Sequence, residues 1–145
     1  MKALIQRVSN ASVVVEGNET GKISKGLMVL FGAGKGDSED KIKVLAEKVC
    51  NLRIFEDEKG KMNLSLLDTE GAMLVVSQFT LYADLSSGRR PSFTNACEPN
   101  TANGYYEKFM AAVSSMGVQV EKGIFGAEMA VTLTNDGPVT IMIEV

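Results

Sequence analysis

Apolar residues in this chain fall into short runs rich in β-branched side chains, each closed by glycine or another turn former, and only two segments carry helical spacing. That pattern confines the chain to sheet-dominated folds with a small helical layer. Residues 2–15 lead through Gly17-Asn18 and Gly21 to Lys22-Ile23-Ser24, which reads as strand, turn and strand. Residues 26–31 form an apolar run bounded by glycines, the mark of a buried strand. Residues 53–55 and 62–66 flank the polar turn Glu56-Asp57-Glu58-Lys59-Gly60 as a hairpin, and residues 72–82 supply a central strand and the segment after it. A helix is expected from Asp37 or Ser38 to near Asn51, with Glu39 and Asp40 in its first turn and Ile42, Leu45 and Val49 on one face. A second helix, capped by Asn100 or Thr101, sets Tyr106, Phe109, Val113 and Met116 at helical spacing and stops at Gly117. Before it, residues 84–100 lack periodicity and hold Gly88, Pro91 and Pro99, so they read as a long loop of the kind that often carries function. Two final strands, 129–134 and 139–145, surround Asn135-Asp136-Gly137-Pro138. The expected fold is mixed α and β: two packed β-sheets forming a partly closed barrel-like core, with two main helices on one outer face. At 145 residues and 45% hydrophobic, residues 1–145 are expected to form a single domain.

The chain contains no histidine. That excludes Ser-His-Asp and Cys-His catalysis, His-ligated metals and the commonest general base near neutral pH. Cys50 and Cys97 stand far from any second thiol, so neither a zinc site nor a disulfide framework has its spacing; no metal and no cofactor are expected. Lys and Arg total 15 against 18 Asp and Glu, and a net charge of -3 gives no general pull toward nucleic acid, so any RNA contact must be local. No apolar run reaches the ~18 residues of a membrane span, and Gln6 and Arg7 end the first apolar run before signal-peptide length. A soluble cytoplasmic protein is expected, with no membrane and no DNA partner.

Three constellations could carry chemistry. Gly32-Ala33-Gly34-Lys35-Gly36 lies between strand and helix, but it matches neither the P-loop nor the dinucleotide fingerprint and reads as a flexible turn. Ser77-Gln78-Phe79-Thr80 interrupts the apolar run 72–76 with polar groups. These hydroxyls either satisfy local backbone at a strand end, or join the amides around Phe79 and Thr80 in lining a pocket for an ester carbonyl. Asn135-Asp136-Gly137-Pro138-Val139-Thr140 contains Asp-Gly, a strong hairpin signal, yet the proline that follows removes a donor at the start of a strand and is open to a cis bond.

Taken together, the last two segments resemble the paired motifs of the D-aminoacyl-tRNA deacylase family, at similar spacing in a chain of similar length. Residues 1–8, the Gly88-Arg89-Arg90-Pro91-Ser92-Phe93 segment and the final strand are similar too. The resemblance implies an enzyme that hydrolyses the ester of D-aminoacyl-tRNA, and of glycyl-tRNA mischarged on tRNA(Ala), releasing free tRNA and amino acid. It implies Ser77, Gln78, Phe79 and Thr80 as the catalytic segment, and a homodimer in which the Gly137-cis-Pro138 segment of the partner meets it and rejects L-amino acids. The terminal 2'-hydroxyl of the tRNA is implied to assist. Arg7 and Asn135 are supporting residues on the same basis, with Arg7 bracing the Gly137-Pro138 segment. Lys35, Arg89 and Arg90 either touch phosphate or are solvated surface charges, the commoner fate. Two other classes compete: an esterase with Thr80 as protein nucleophile, which needs a base the sequence does not nominate, and a noncatalytic RNA-binding dimer, which needs a basic stripe the chain does not show.

Overall fold

Alternation along the apolar runs explains the architecture of the computed structural model, which describes residues 1–145. In strand β6 (Ala72–Ser77), Met73 and Val75 point to one side of the sheet while Leu74 and Val76 point to the other, and all four are buried. A strand covered on both faces needs such a continuous apolar run. The same division holds in β3 (Gly26–Gly32), where Leu27, Val29 and Phe31 join a core of 22 buried residues and Met28 joins a smaller one of 8. The larger core lies between the sheet and the two helices, α1 (Asp40–Cys50) and α2 (Pro99–Ser115), through Leu45, Val49, Tyr106 and Phe109. The smaller one fills the inside of the curved sheet with Val8, Ala11, Val13 and Leu74.

The main sheet has six strands. β1 (Lys2–Val15) pairs β2 (Asn18–Ile23), β3 and β8 (Ala130–Glu144), all antiparallel, while β3, β6 and β7 (Val120–Lys122) run parallel. β2 and β7 nearly close the barrel: a Cβ on Gly21 would sit 2.7 Å from the carbonyl oxygen of Lys122, so only glycine allows the two edges to approach. A second, two-stranded sheet is formed by β4 (Phe55–Glu56) and β5 (Met62–Leu64). The expected barrel-like core and pair of covering helices are both present, with sheets of very unequal size.

Three local expectations are corrected. Helix α1 begins at Asp40 because Asp37 turns into the interior to bind an ammonium group and a backbone amide. Helix α2 begins at Pro99, and its cap is Glu98, whose carboxylate accepts from the amides of Asn100 and Thr101; those two are the capped residues. Proline at the first helical position needs no amide donor and suits that site. Asn135 to Pro138 is no hairpin turn, since β8 runs through it as one strand beside β1.

Candidate functional site

β8 passes the Asp-Gly signal by bulging. The pairs Gln6–Thr140 and Val8–Asn135 are two residues apart on β1 and five apart on β8 (140 − 135), so three extra residues leave the ladder. Asp136, Gly137 and Pro138 are the exposed ones, and the Gly137-Pro138 bond is cis. Asn135 clasps the base of the bulge: its Oδ1 accepts from the Val139 amide at 2.7 Å, and its Nδ2 donates to the Val139 carbonyl at 3.1 Å and to Thr140 Oγ1 at 3.0 Å. Arg7 lies on β1 between those two pairs and is only 6% exposed. Its Nε donates to the Asp136 carbonyl at 2.8 Å and its Nη1 to the Ile54 carbonyl at 2.6 Å, tying the bulge to the segment before β4.

Ser77, Gln78 and Phe79 line a cavity of about 700 Å³ with Phe93, Phe125 and Met129 among its other walls. Ser77 ends β6, and the chain turns there into a 3-10 segment, Phe79–Tyr82. The first bond of that turn runs from the Leu81 amide to the Gln78 carbonyl, and Gln78 provides no side-chain cap. The amides of Phe79 and Thr80 precede it and so have no partner within the turn. Phe79 is 58% exposed and meets Phe93 edge to face at 5.0 Å. Thr80 Oγ1 accepts a hydrogen bond from Gln78 Nε2.

The turn is held from behind. Tyr82 lies against Gly34, where a Cβ would come within 2.4 Å of the ring, and its hydroxyl donates to Asp37 Oδ2 at 3.2 Å. Burial, then the Asp37 carboxylate, raises the phenol's pKa and keeps that proton in place. Gly34 also bridges Ala96, and the Cys97 amide donates to the Ala33 carbonyl at 3.0 Å. The glycine-rich segment is therefore a rail against which the Phe79–Tyr82 turn and the 96–97 segment pack, where sequence alone suggested a flexible turn. Gly34→Ala is expected to push Tyr82 and the turn aside and lower kcat/KM on the order of tenfold or more, with folding checked by circular dichroism. Cys50 is buried, and burial pushes its thiol up to about 11, which makes it packing.

Within one chain the two motifs stay apart. Ser77 is in register with Phe31 and Ala3, whereas Gly137 bulges opposite Arg7, three strands away along β6, β3, β1 and β8. Four residues and three strand spacings correspond to roughly 19 Å across a flat sheet. Gly137 and Pro138 line no part of the cavity. Neither Asp37 nor Tyr82 was legible as part of the site, since each depends on contacts across distant parts of the sequence.

A model of the D-Tyr-tRNA(Tyr) deacylase family matches residues 4–144. The chain is 56% identical over 144 residues to the D-aminoacyl-tRNA deacylase of Thermosipho africanus, covering 99% of this chain and 97% of that one. It is 54% identical over 144 residues to that of Fervidobacterium nodosum, with the same coverage. A solved structure described as a c-Myc DNA Unwinding Element Binding Protein superposes with a TM-score of 0.94 at 39% identity, covering 100% of this chain and 99% of that one. A probable eukaryotic D-amino acid tRNA deacylase shares the fold with a TM-score of 0.84 at 17% identity, over 99% of this chain and 98% of that one. These matches define a carboxylic ester hydrolase, one that works without histidine. The chain belongs to the D-aminoacyl-tRNA deacylase family. No helix of it is long and apolar enough to cross a membrane.

Proposed function

We propose that this enzyme proofreads the handedness of aminoacyl-tRNA in the cytoplasm, at sites shared between the two chains of a homodimer. The observation that carries the reading is the pair of uncapped amides of Phe79 and Thr80 beside an aromatic-walled cavity. Phe79, Phe93 and Phe125 offer flat apolar faces for the terminal base of the tRNA, which sets its ester beside Ser77 to Thr80. Water attacks the ester carbonyl carbon, the carbonyl oxygen takes up the electron pair, and the two amides stabilise the oxyanion. The terminal 2'-hydroxyl orients the water and relays its proton to the departing 3'-oxygen as the carbon–oxygen bond breaks. No histidine is needed, because the ester is already activated. Thr80 Oγ1 faces an amide donor that cannot accept its proton, which weighs against a protein nucleophile.

Gly137 and Pro138 of the partner supply a backbone wall where an L side chain would lie. A glycyl ester has no side chain to clash, so glycyl-tRNA, including that mischarged on tRNA(Ala), is a further substrate. The dimer is supported by β8, a strand of 15 residues paired only with β1, whose other edge is open and whose outward face leaves Met142 47% exposed. Long unpaired edges are covered in stable proteins.

Release of amino acid from D-tyrosyl-tRNA against L-tyrosyl-tRNA tests the reading. D is expected to be cleaved and L spared, a substrate without the terminal 2'-hydroxyl should be much slower, and Thr80→Ala should retain activity. Loss of all activity in a folded Thr80→Ala would instead assign a protein nucleophile. The DNA-binding description of one structural relative favours a second reading, a nucleic-acid-binding dimer. Tight duplex binding at physiological salt without ester cleavage would support it against the acidic charge balance.

A further inference from the structure

The segment 84–92 has no part in the chemistry above, yet it is built as a closed loop. Asp84 and Ser92 exchange backbone hydrogen bonds of 2.8 and 2.9 Å, the Gly88 amide donates to the Leu85 carbonyl at 3.3 Å, and Asp84 Oδ1 accepts from the Ser86 amide at 2.9 Å. One foot of the loop follows the Phe79–Tyr82 turn, and the other leads into Phe93, which packs on Phe79. Its outer part carries Arg89 and Arg90, both exposed. Neither forms an ion pair within the chain, in contrast to Arg7, Lys41, Lys108 and Lys122. Lys35 joins the same rim, because its amide donates to the Asn95 carbonyl at 2.8 Å beside the Gly34–Ala96 bridge.

The carboxylates on these segments have partners within the chain, though only Asp37 is paired with cations and Asp84 and Glu98 keep their charge. Asp37 is paired with Lys41 and the ammonium of Met1, Asp84 holds the Ser86 amide, and Glu98 caps α2. Lys2 adds a further cation, with Nζ 4.6 Å from the centre of the Tyr82 ring. The opposite wall, 125–131, carries one acid, Glu128. None of these cations lines the cavity, whose one charged lining residue is Glu98, but on the segments that flank it Lys2, Lys35, Arg89 and Arg90 outnumber Asp84, Glu98 and Glu144, and a local positive excess of that kind suits the phosphates of a nucleic-acid backbone.

We propose that Lys35, Arg89 and Arg90 hold backbone phosphates of the tRNA acceptor end while its 3' nucleoside enters the cavity. The proposal rests on the cavity reading above. The probes are D-tyrosyl-tRNA and D-tyrosyl-adenosine, which carries the same ester without any phosphate. In Arg89→Ala/Arg90→Ala, the preference for the tRNA ester over the adenosine ester is expected to fall about tenfold at ~0.15 M salt, through KM. The slope of log kcat/KM against log salt for the tRNA ester should fall by about 2, one for each lost phosphate contact. Arg89→Lys/Arg90→Lys should restore most of the slope, because charge and not shape carries the effect. An unchanged slope and preference, or an equal loss on both substrates, overturns the phosphate surface. Phe79→Ala separates the two layers. If it impairs both substrates while the arginine variants change nothing, the cavity reading stands and the phosphate surface falls; if it impairs neither, both fall.

Discussion

Gly137→Ala is expected to lower cleavage of D-aminoacyl-tRNA by about 10²-fold or more while leaving a folded protein. The cause is local and steric. Gly137 has φ +146, a conformation that side chains rarely adopt, and a Cβ there would lie 2.8 Å from Val139 Cγ2, 3.0 Å from the Val139 amide nitrogen and 3.1 Å from Arg7 Nη2. None of these neighbours yields freely, since the Val139 amide is held by Asn135 and the Arg7 guanidinium is fixed by the Asp136 and Ile54 carbonyls. The bulge must shift as a unit, and the proposed wall against L side chains shifts with it. Single-turnover rates on D- and L-tyrosyl-tRNA, with circular dichroism and sedimentation as controls, measure the effect. Mixing gives a sharper result. If sites are shared, a Gly137→Ala chain and a Phe79→Ala chain should together recover activity that neither homodimer has, because one site of the mixed dimer joins an intact turn to an intact bulge. A folded Gly137→Ala dimer with wild-type rates would remove the bulge from the site.

The helices and the central strands were legible because their signals are local: apolar spacing at Ile42, Leu45 and Val49, and glycine-bounded runs at β3 and β6. The small parallel strand β7 was not, since Val-Glu-Lys has no apolar run and its pairing with β6 is decided by tertiary contact. Asp136-Gly137 misled for a physical reason. Asp-Gly favours a tight turn in isolation, but continuous pairing of β8 with β1 on both sides of it leaves only a bulge as the solution. Glu98 was passed over because Asn and Thr are commoner caps, although Pro99 directly after it marked the helix start. Motif resemblance drew attention to Ser77 through Thr80, and the structure places Ser77, Gln78 and Phe79 on one cavity. What holds that turn in place comes from residues 34, 37 and 82, whose meeting depends on the whole fold.

Asp37 should therefore govern both stability in acid and the set of the Phe79–Tyr82 turn. Its Oδ2 accepts from the Gly34 amide at 2.7 Å and from Tyr82 at 3.2 Å and pairs with the Met1 ammonium at 2.7 Å; its Oδ1 pairs with Lys41 at 2.8 Å. Its own carbonyl takes the Tyr105 hydroxyl at 3.1 Å, which links it to α2. Burial of a side chain only 7% exposed would raise its pKa, but Lys41, the Met1 ammonium and the Gly34 amide outweigh it and bring the value from 3.8 to about 2. A folded-state pKa below the unfolded one means that the stabilisation is fully present above about pH 5 and is lost as pH falls through 3.8 toward about 2. A shift of that size corresponds to about 2 kcal/mol. Asp37→Asn should lose about that much at pH 7 and show a correspondingly flatter fall between pH 5 and pH 2. Asp37→Ala, which removes the oxygen acceptors of the Gly34 amide and the Tyr82 hydroxyl as well as the counter-charge of the buried ammonium, should cost about 3–5 kcal/mol. Urea midpoints at pH 7 and pH 3 read both effects. Because Tyr82 loses its acceptor in the alanine variant, deacylation should decline at urea concentrations below those that unfold the chain. Equal midpoints for wild type and Asp37→Asn at pH 7, or activity lost only together with the fold, would show that Asp37 neither stabilises the chain through its charge nor sets the turn.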